Sequence, residues 1–145
     1  MEILSELVEE YESEARVNPA KEIASRVVDI YTRLDEFRCL EPGWYAGTGD
    51  AFKDEDLDWL KPILITIACE LPQHPVLYPY AEANVYAEWC IGDNRIIVGF
   101  MFENKTAAYS DFDLVIPGQH NEHDFDLKQP GELNKLIQTL KKVIV

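Results

Sequence analysis

Residues 84–113 read NVYAEWCIGDNRIIVGFMFENKTAAYSDFD, and this stretch constrains the fold more than any other. Side chains along a strand alternate between two faces. In NVYAEWCI, Val85, Ala87, Trp89 and Ile91 therefore point one way, and Tyr86, Glu88 and Cys90 the other. GDN at residues 92–94 is a hairpin turn signal. RIIVGFMF follows and is apolar on both faces, as a central strand would be. ENK at residues 103–105 supplies a second turn, and TAAYSDF a third strand. Residues 114–116, LVI, read as further strand. Upstream, LPQHPVLYPY is extended and punctuated by prolines. Downstream, PGQHNEHDFDLKQPG reads as a polar loop.

The sequence on either side has the period of a helix instead. Ile3, Leu4, Leu7, Val8 and Tyr11 fall on one stripe. Asn18 and Pro19 then supply a cap and a first-turn proline. Ile23, Val27, Ile30, Tyr31, Leu34 and Phe37 form a clearer stripe, with Arg26, Asp29, Arg33 and Asp35 mostly outside it. Leu57, Leu60, Leu64, Ile67 and Leu71 form a third, behind an acidic front end that suits a helix dipole. Pro62 interrupts it, so the helix either bends there or begins near it. Leu133, Leu136, Ile137, Leu140 and Val143 give a C-terminal helix ending on Lys141 and Lys142. Helices, then hairpin-linked strands, then a helix specify an α+β fold with an antiparallel meander of three to five strands. One domain spans residues 1–145, mainly helical over 1–71, sheet over 76–116 and helix over 131–143. The helices are expected to cover one face of the sheet.

Twenty-seven acidic residues oppose thirteen basic ones, for a net charge of -14. Residues 1–60 hold sixteen acids and six bases, residues 61–145 eleven and seven. That field repels nucleic-acid phosphates and anionic membranes. It attracts a basic protein partner and speeds the encounter, besides promoting solubility. Three cysteines without metal-type spacing, and an acidic N-terminus in place of a signal sequence, point to the reducing cytoplasm. The longest apolar run, ILITIA, is too short to cross a bilayer.

Motifs for chemistry are sparse. CLEPGWYAGTGDAF, residues 39–52, has glycines at 43, 47 and 49, matching neither the dinucleotide fingerprint nor the phosphate loop. Its glycines suit helix ends and turns. HNEHDFD offers His120, His123 and Asp124 as metal-ligand types, but no further ligand at a recognised spacing follows, and no metal is expected. Glu88, between Tyr86 and Cys90 on its strand face, is a carboxylate among aromatics, a setting used for acid–base work. No nucleophile elbow accompanies it. His74, between Pro72 and Pro75, has no base or nucleophile beside it. No catalytic set and no cofactor are therefore expected. The aromatics from Trp44 to Trp89 crowd the middle third, as core packing or as anchors of a protein-binding patch.

Two fragments resemble a group of small prokaryotic proteins. Gly43, Trp44 and Gly47 resemble their Gly-Trp-Asp-Gly-like loop, and Pro72, Pro75, Pro79, Glu88 and Trp89 their proline stretch and Leu-Glu-Trp strand. Tyr45 stands where that pattern has aspartate, and Ala83-Asn84 where it has a glycine pair. The resemblance covers residues 40–105. It implies the helix-then-meander layout, and some members are thought to be toxin–antitoxin or phage associated. The expectation is a non-enzymatic acidic binding protein, immunity- or antitoxin-like, acting on a basic partner. Trp44, Tyr45, Asp50, Tyr80 and Glu88 are its candidate contact residues. The alternative is a small enzyme or ligand-binding domain with a pocket between the 43–49 loop and the sheet.

Overall fold

The structure is a computed structural model that describes residues 19–116, 118 and 120–144. The first amphipathic stripe, at residues 3–11, lies outside the described residues. In chain order the elements are α1 (Pro19–Arg38), α2 (Asp54–Glu70), β1 (Val76–Tyr80), β2 (Asn84–Ile91), β3 (Asn94–Met101), β4 (Thr106–Asp113), β5 (His120–Asp126) and α3 (Glu132–Val143). The five strands form one antiparallel sheet in sequence order, a meander. The fold is thus α+β.

The alternation seen in the sequence sets the register. Leu77 faces Ala87, Ala87 faces Val98, and Val98 faces Tyr109. The neighbouring row runs Val85, Phe100, Ala107, Phe125. Every residue in both rows is buried, with Val85, Ala87, Val98, Phe100 and Ala107 fully so. This face packs against Ile30, Leu34 and Phe37 of α1, Leu57, Leu60, Leu64 and Ile67 of α2, and Leu136 and Leu140 of α3 in one core. Each fully buried large side chain contributes roughly 2–3 kcal/mol through removal from water. A one-residue register slip would turn both rows outward, so the core itself fixes the pairing.

α2 is continuous from Asp54 to Glu70 with Pro62 inside it. Pro62 sits on the exposed side, where the carbonyl it leaves unpaired can meet water. α1 grips both ends of α2 with arginines. Arg26, though polar, is only 8% exposed. Its Nη1 donates to the carbonyls of Ala68 at 3.1 Å and Leu71 at 2.6 Å, and its Nη2 to Pro72 at 2.6 Å. Glu22 completes the shell at 2.6 Å. A cation set among the last carbonyls of a helix also meets the negative end of its dipole. At the other end Arg38 pairs with Asp54 at 3.0 Å and Asp58 at 3.2 Å.

Two expectations are corrected. Residues 114–116 are a bend, not strand, with the amides of Val115 and Ile116 held by Asp113. His120–Asp126 is a strand, not a loop. It is an edge strand, so most of its side chains face water and only Phe125 is buried. Its charges blunt the exposed edge, as Pro79 does on the opposite edge strand β1. Among the described residues no helix is long and apolar enough to cross a membrane.

Arg26→Met should destabilise the fold by about 3 kcal/mol, because two buried carbonyls and a third, part-buried one lose a charged donor. Urea denaturation measures this. A loss below about 1 kcal/mol would show that the α1–α2 junction does not depend on that guanidinium.

Candidate functional site

The loop between α1 and α2 folds on itself. Tyr45 and Thr48 exchange backbone hydrogen bonds at 2.7 and 2.8 Å around Ala46-Gly47, both at positive φ, which makes a two-residue hairpin. Gly49 is needed for a close approach, since a Cβ there would lie 3.0 Å from the Trp44 indole nitrogen. That nitrogen donates to the Asp50 carbonyl at 2.7 Å. The Trp44 ring is half-buried, 6.4 Å from Phe52. Trp89 lies elsewhere, with its indole donating to Gln73 at 3.2 Å. Tyr45 is 57% exposed. The aromatic pair is thus divided: Trp44 anchors the loop, and Tyr45 is presented to solvent.

The Asp50 amide donates to Ala81 at 2.9 Å and ties this loop to the β1–β2 turn. Beside that link lies a cleft of about 700 Å³. Its walls come from the loop after Gly49, the start of α2, the β1–β2 turn and the β3–β4 turn. Asp50, Asp56, Glu82 and Glu103 bring four carboxylates to it, and Lys53 is the one cation lining it among the described residues. None of the four carboxylates is in an ion pair among the described residues, whereas Glu22, Glu36, Asp54, Asp58, Glu70 and Glu132 all are. Backbone strain gathers at the same end. Ala46, Ala83 and Lys105 hold φ of 50°, 58° and 54°, left-handed values that cost a residue with a Cβ roughly 1–2 kcal/mol. Lys105 is held there in part by its ammonium over the Trp59 ring at 4.7 Å.

Tyr80 and Glu88 lie on the sheet face turned away from the helices. Tyr80 is 51% exposed and stacks on Tyr86, with centroids 4.7 Å apart and planes at 4°. Tyr86 in turn lies over Gly99, where a Cβ would meet its ring at 2.9 Å. Glu88 is 6% exposed, and both its oxygens are taken by Arg95, one by Nε and the other by Nη2 at 3.1 Å. That carboxylate raises the guanidinium above its ordinary pKa. Met101 borders both the cleft and this outer face. Of the residues singled out from sequence, Asp50 lines the cleft and Trp44 and Tyr45 share its loop. Tyr80 stands in the strand that leads into Glu82. Glu88 is set apart in its ion pair.

The metal-ligand types do not converge. Two histidines three apart share a face on a helix, but this segment is a strand. His120 and Asp124 therefore share one face and His123 takes the other. His120 is near Glu122 at 3.6 Å instead. No group of three or more potential metal ligands occurs among the described residues. Asp56, Glu82 and Glu103 were not singled out from sequence. The available signal was that each turn at this end of the sheet carries a carboxylate.

His74 lines a smaller cleft of about 300 Å³ between α1 and β1. Its Nδ1 is buried without a partner, and burial lowers its pKa below 6.5, opposed by Asp29 and assisted by Arg26. The unfolded chain therefore takes up this proton first as pH falls. Stability that His74 leaves intact above about pH 6.5 is lost below it. Relative to His74→Gln, the wild type should lose stability between about pH 6.5 and pH 5, measured by urea unfolding at each pH. A constant difference would contradict this. Arg95→Met should cost about 2 kcal/mol by stranding the Glu88 carboxylate, and adding Glu88→Gln should restore part of the loss. Strictly additive losses would count against coupling. No family model matches the chain, and neither a curated protein nor a solved structure matches it.

Proposed function

We propose that the protein is a non-enzymatic acidic binding protein whose partner is a basic protein, in an immunity- or antitoxin-like role. The observation that carries this reading is the set of four carboxylates without ion-pair partners around one cleft of about 700 Å³. Elsewhere this chain pairs many of its acids with its few bases. Leaving four unpaired at one place is electrostatically unfavourable unless another molecule supplies the cations. A partner's lysine or arginine entering the cleft meets carboxylates as charge-assisted acceptors. Tyr45 and Tyr80, exposed in the segments that supply Asp50 and Glu82, offer aromatic faces to the same cations. The resemblance over residues 40–105 to small prokaryotic proteins, some of them thought to be toxin–antitoxin or phage associated, supports the biological role. Three exposed free cysteines suit a reducing cytoplasm.

The same cleft also lies within the size range of small-molecule sites. A second reading is therefore a ligand-binding pocket between the 43–49 loop and the sheet, which would take a small organic cation. Titration with spermidine separates the two. Saturable binding at low micromolar concentration favours the small ligand, and its absence favours the protein partner.

The test of the leading reading combines capture with stability. Wild-type protein should recover a basic partner from native lysate at low salt and less of it at physiological salt, because the attraction is screened. The triple variant D50N/E82Q/E103Q should recover about tenfold less. Its Tm should equal or exceed that of the wild type, since like charges have been removed. A variant that binds as well as the wild type, or no partner at either salt, would overturn the proposal.

A further inference from the structure

Among the exposed large apolar side chains, Val28, Tyr31, Tyr45, Val76 and Tyr80 are separated along the chain. Leu114, Val115 and Ile116 are consecutive, 61%, 65% and 48% exposed, in the connection between β4 and β5. Scattered apolar residues are ordinary on a protein surface. Three in a row facing water cost solubility unless they are used.

The run is held in one shape. The Leu114 amide donates to the Asp93 carbonyl at 2.8 Å, which fastens it to the β2–β3 turn. One Asp113 oxygen accepts the amides of Val115 at 2.7 Å and Ile116 at 3.1 Å. Val115 and Ile116 are β-branched and stiff, so they lose little freedom when seated against another surface. The surroundings are acidic. Asp93 and Asp113 flank the run, and neither is in an ion pair among the described residues. Arg95, opposite Phe112 in the register, is taken by Glu88. The acidic cleft is lined by the β1–β2 and β3–β4 turns, so this run stands at the other end of the meander. Eight-residue strands separate the two by roughly 25 Å.

We propose that Leu114–Ile116 is the apolar anchor of a second protein contact, independent of the acidic cleft, and that it seats in an apolar pocket rimmed by lysine or arginine on a different protein. Charge complementarity selects this occupant. A two-fold contact with a second copy is self-complementary, so it would set Asp93 and Asp113 against the same carboxylates of the partner. An anionic bilayer meets the same repulsion, on top of the net charge of -14. A basic rim meets the aspartates favourably while the apolar side chains leave water. The bend is already formed by Asp113, so little ordering is left for the moment of binding.

The test replaces Val115 of the full chain with p-benzoylphenylalanine and irradiates it in native lysate. One protein adduct should form, joined through a peptide that holds apolar residues and a lysine or arginine. Calorimetry with that purified protein should then show L114S/I116S binding at least tenfold more weakly than the wild type. Asp113→Ala should also weaken binding about tenfold, although it removes no apolar side chain, and Asp113→Asn, which keeps the accepting oxygen, should lose less. D50N/E82Q/E103Q should bind as well as the wild type, which keeps this contact distinguishable from the cleft. An adduct of twice the chain mass, many unrelated adducts or none, or a joined peptide without a basic residue overturns the proposal. So does co-flotation with phosphatidylcholine vesicles that is lost in L114S/I116S, or undiminished affinity in that variant.

Discussion

One face of the sheet must stay out of water, and the rest of the molecule is arranged around that requirement. Val85, Ala87, Ile96, Val98, Phe100 and Ala107 are fully buried on it. Among the described residues three helices roof this face, and their positions are not left to apolar contact alone. Arg26 holds the C-terminal carbonyls of α2, and Arg38 holds the carboxylates at its N-terminus. Lys141 ties α3 to Glu70 at the C-terminal end of α2, at 2.8 Å. Apolar packing is non-directional, so these charged contacts supply the alignment that it lacks.

The same distribution of charge separates structure from function. Several acids that hold an element have a basic partner close by: Glu22 with Arg26, Asp54 and Asp58 with Arg38, Glu88 with Arg95. The carboxylates of the acidic cleft have none among the described residues, and they stand on three turns and a helix start that the sheet brings together. At the opposite end the Trp89 indole donates to the Gln73 carbonyl, and the Leu114 amide to that of Asp93. The end bearing the β1–β2 and β3–β4 turns combines strained backbone, exposed tyrosine and unpaired charge.

Much of the fold was legible because alternation and helical spacing report burial directly. Strand β2 follows from period-two apolar residues, β3 from a run apolar on both faces and β4 from the segment after the next turn, and the GDN and ENK turns lie where the hairpins close. β5 was not legible for the converse reason. An edge strand with one buried residue, Phe125, carries no apolar alternation, and its polar sequence resembles a loop. Arg26 was hidden because periodicity counts apolar side chains, and it sits beside the stripe while its guanidinium reaches over to α2. Pro62 was ambiguous because sequence does not show which carbonyl faces water. The site was legible only in part. Of the residues read from sequence only Asp50 lines it, with Tyr45 and Tyr80 in adjoining segments, whereas Glu82 and Glu103 come from turns far apart in sequence, and only the meander places them side by side.

The central claim is that the end of the sheet bearing Tyr45 and Tyr80 is a contact surface for a basic protein. Replacing Tyr45 or Tyr80 with the photo-crosslinker p-benzoylphenylalanine in living cells tests it most directly, with Val28, 60% exposed on α1, as the control position. The account predicts that positions 45 and 80 capture the same basic protein, identified by mass spectrometry, and that position 28 does not. Adducts that are absent from both tyrosine positions, or identical at all three, would contradict it.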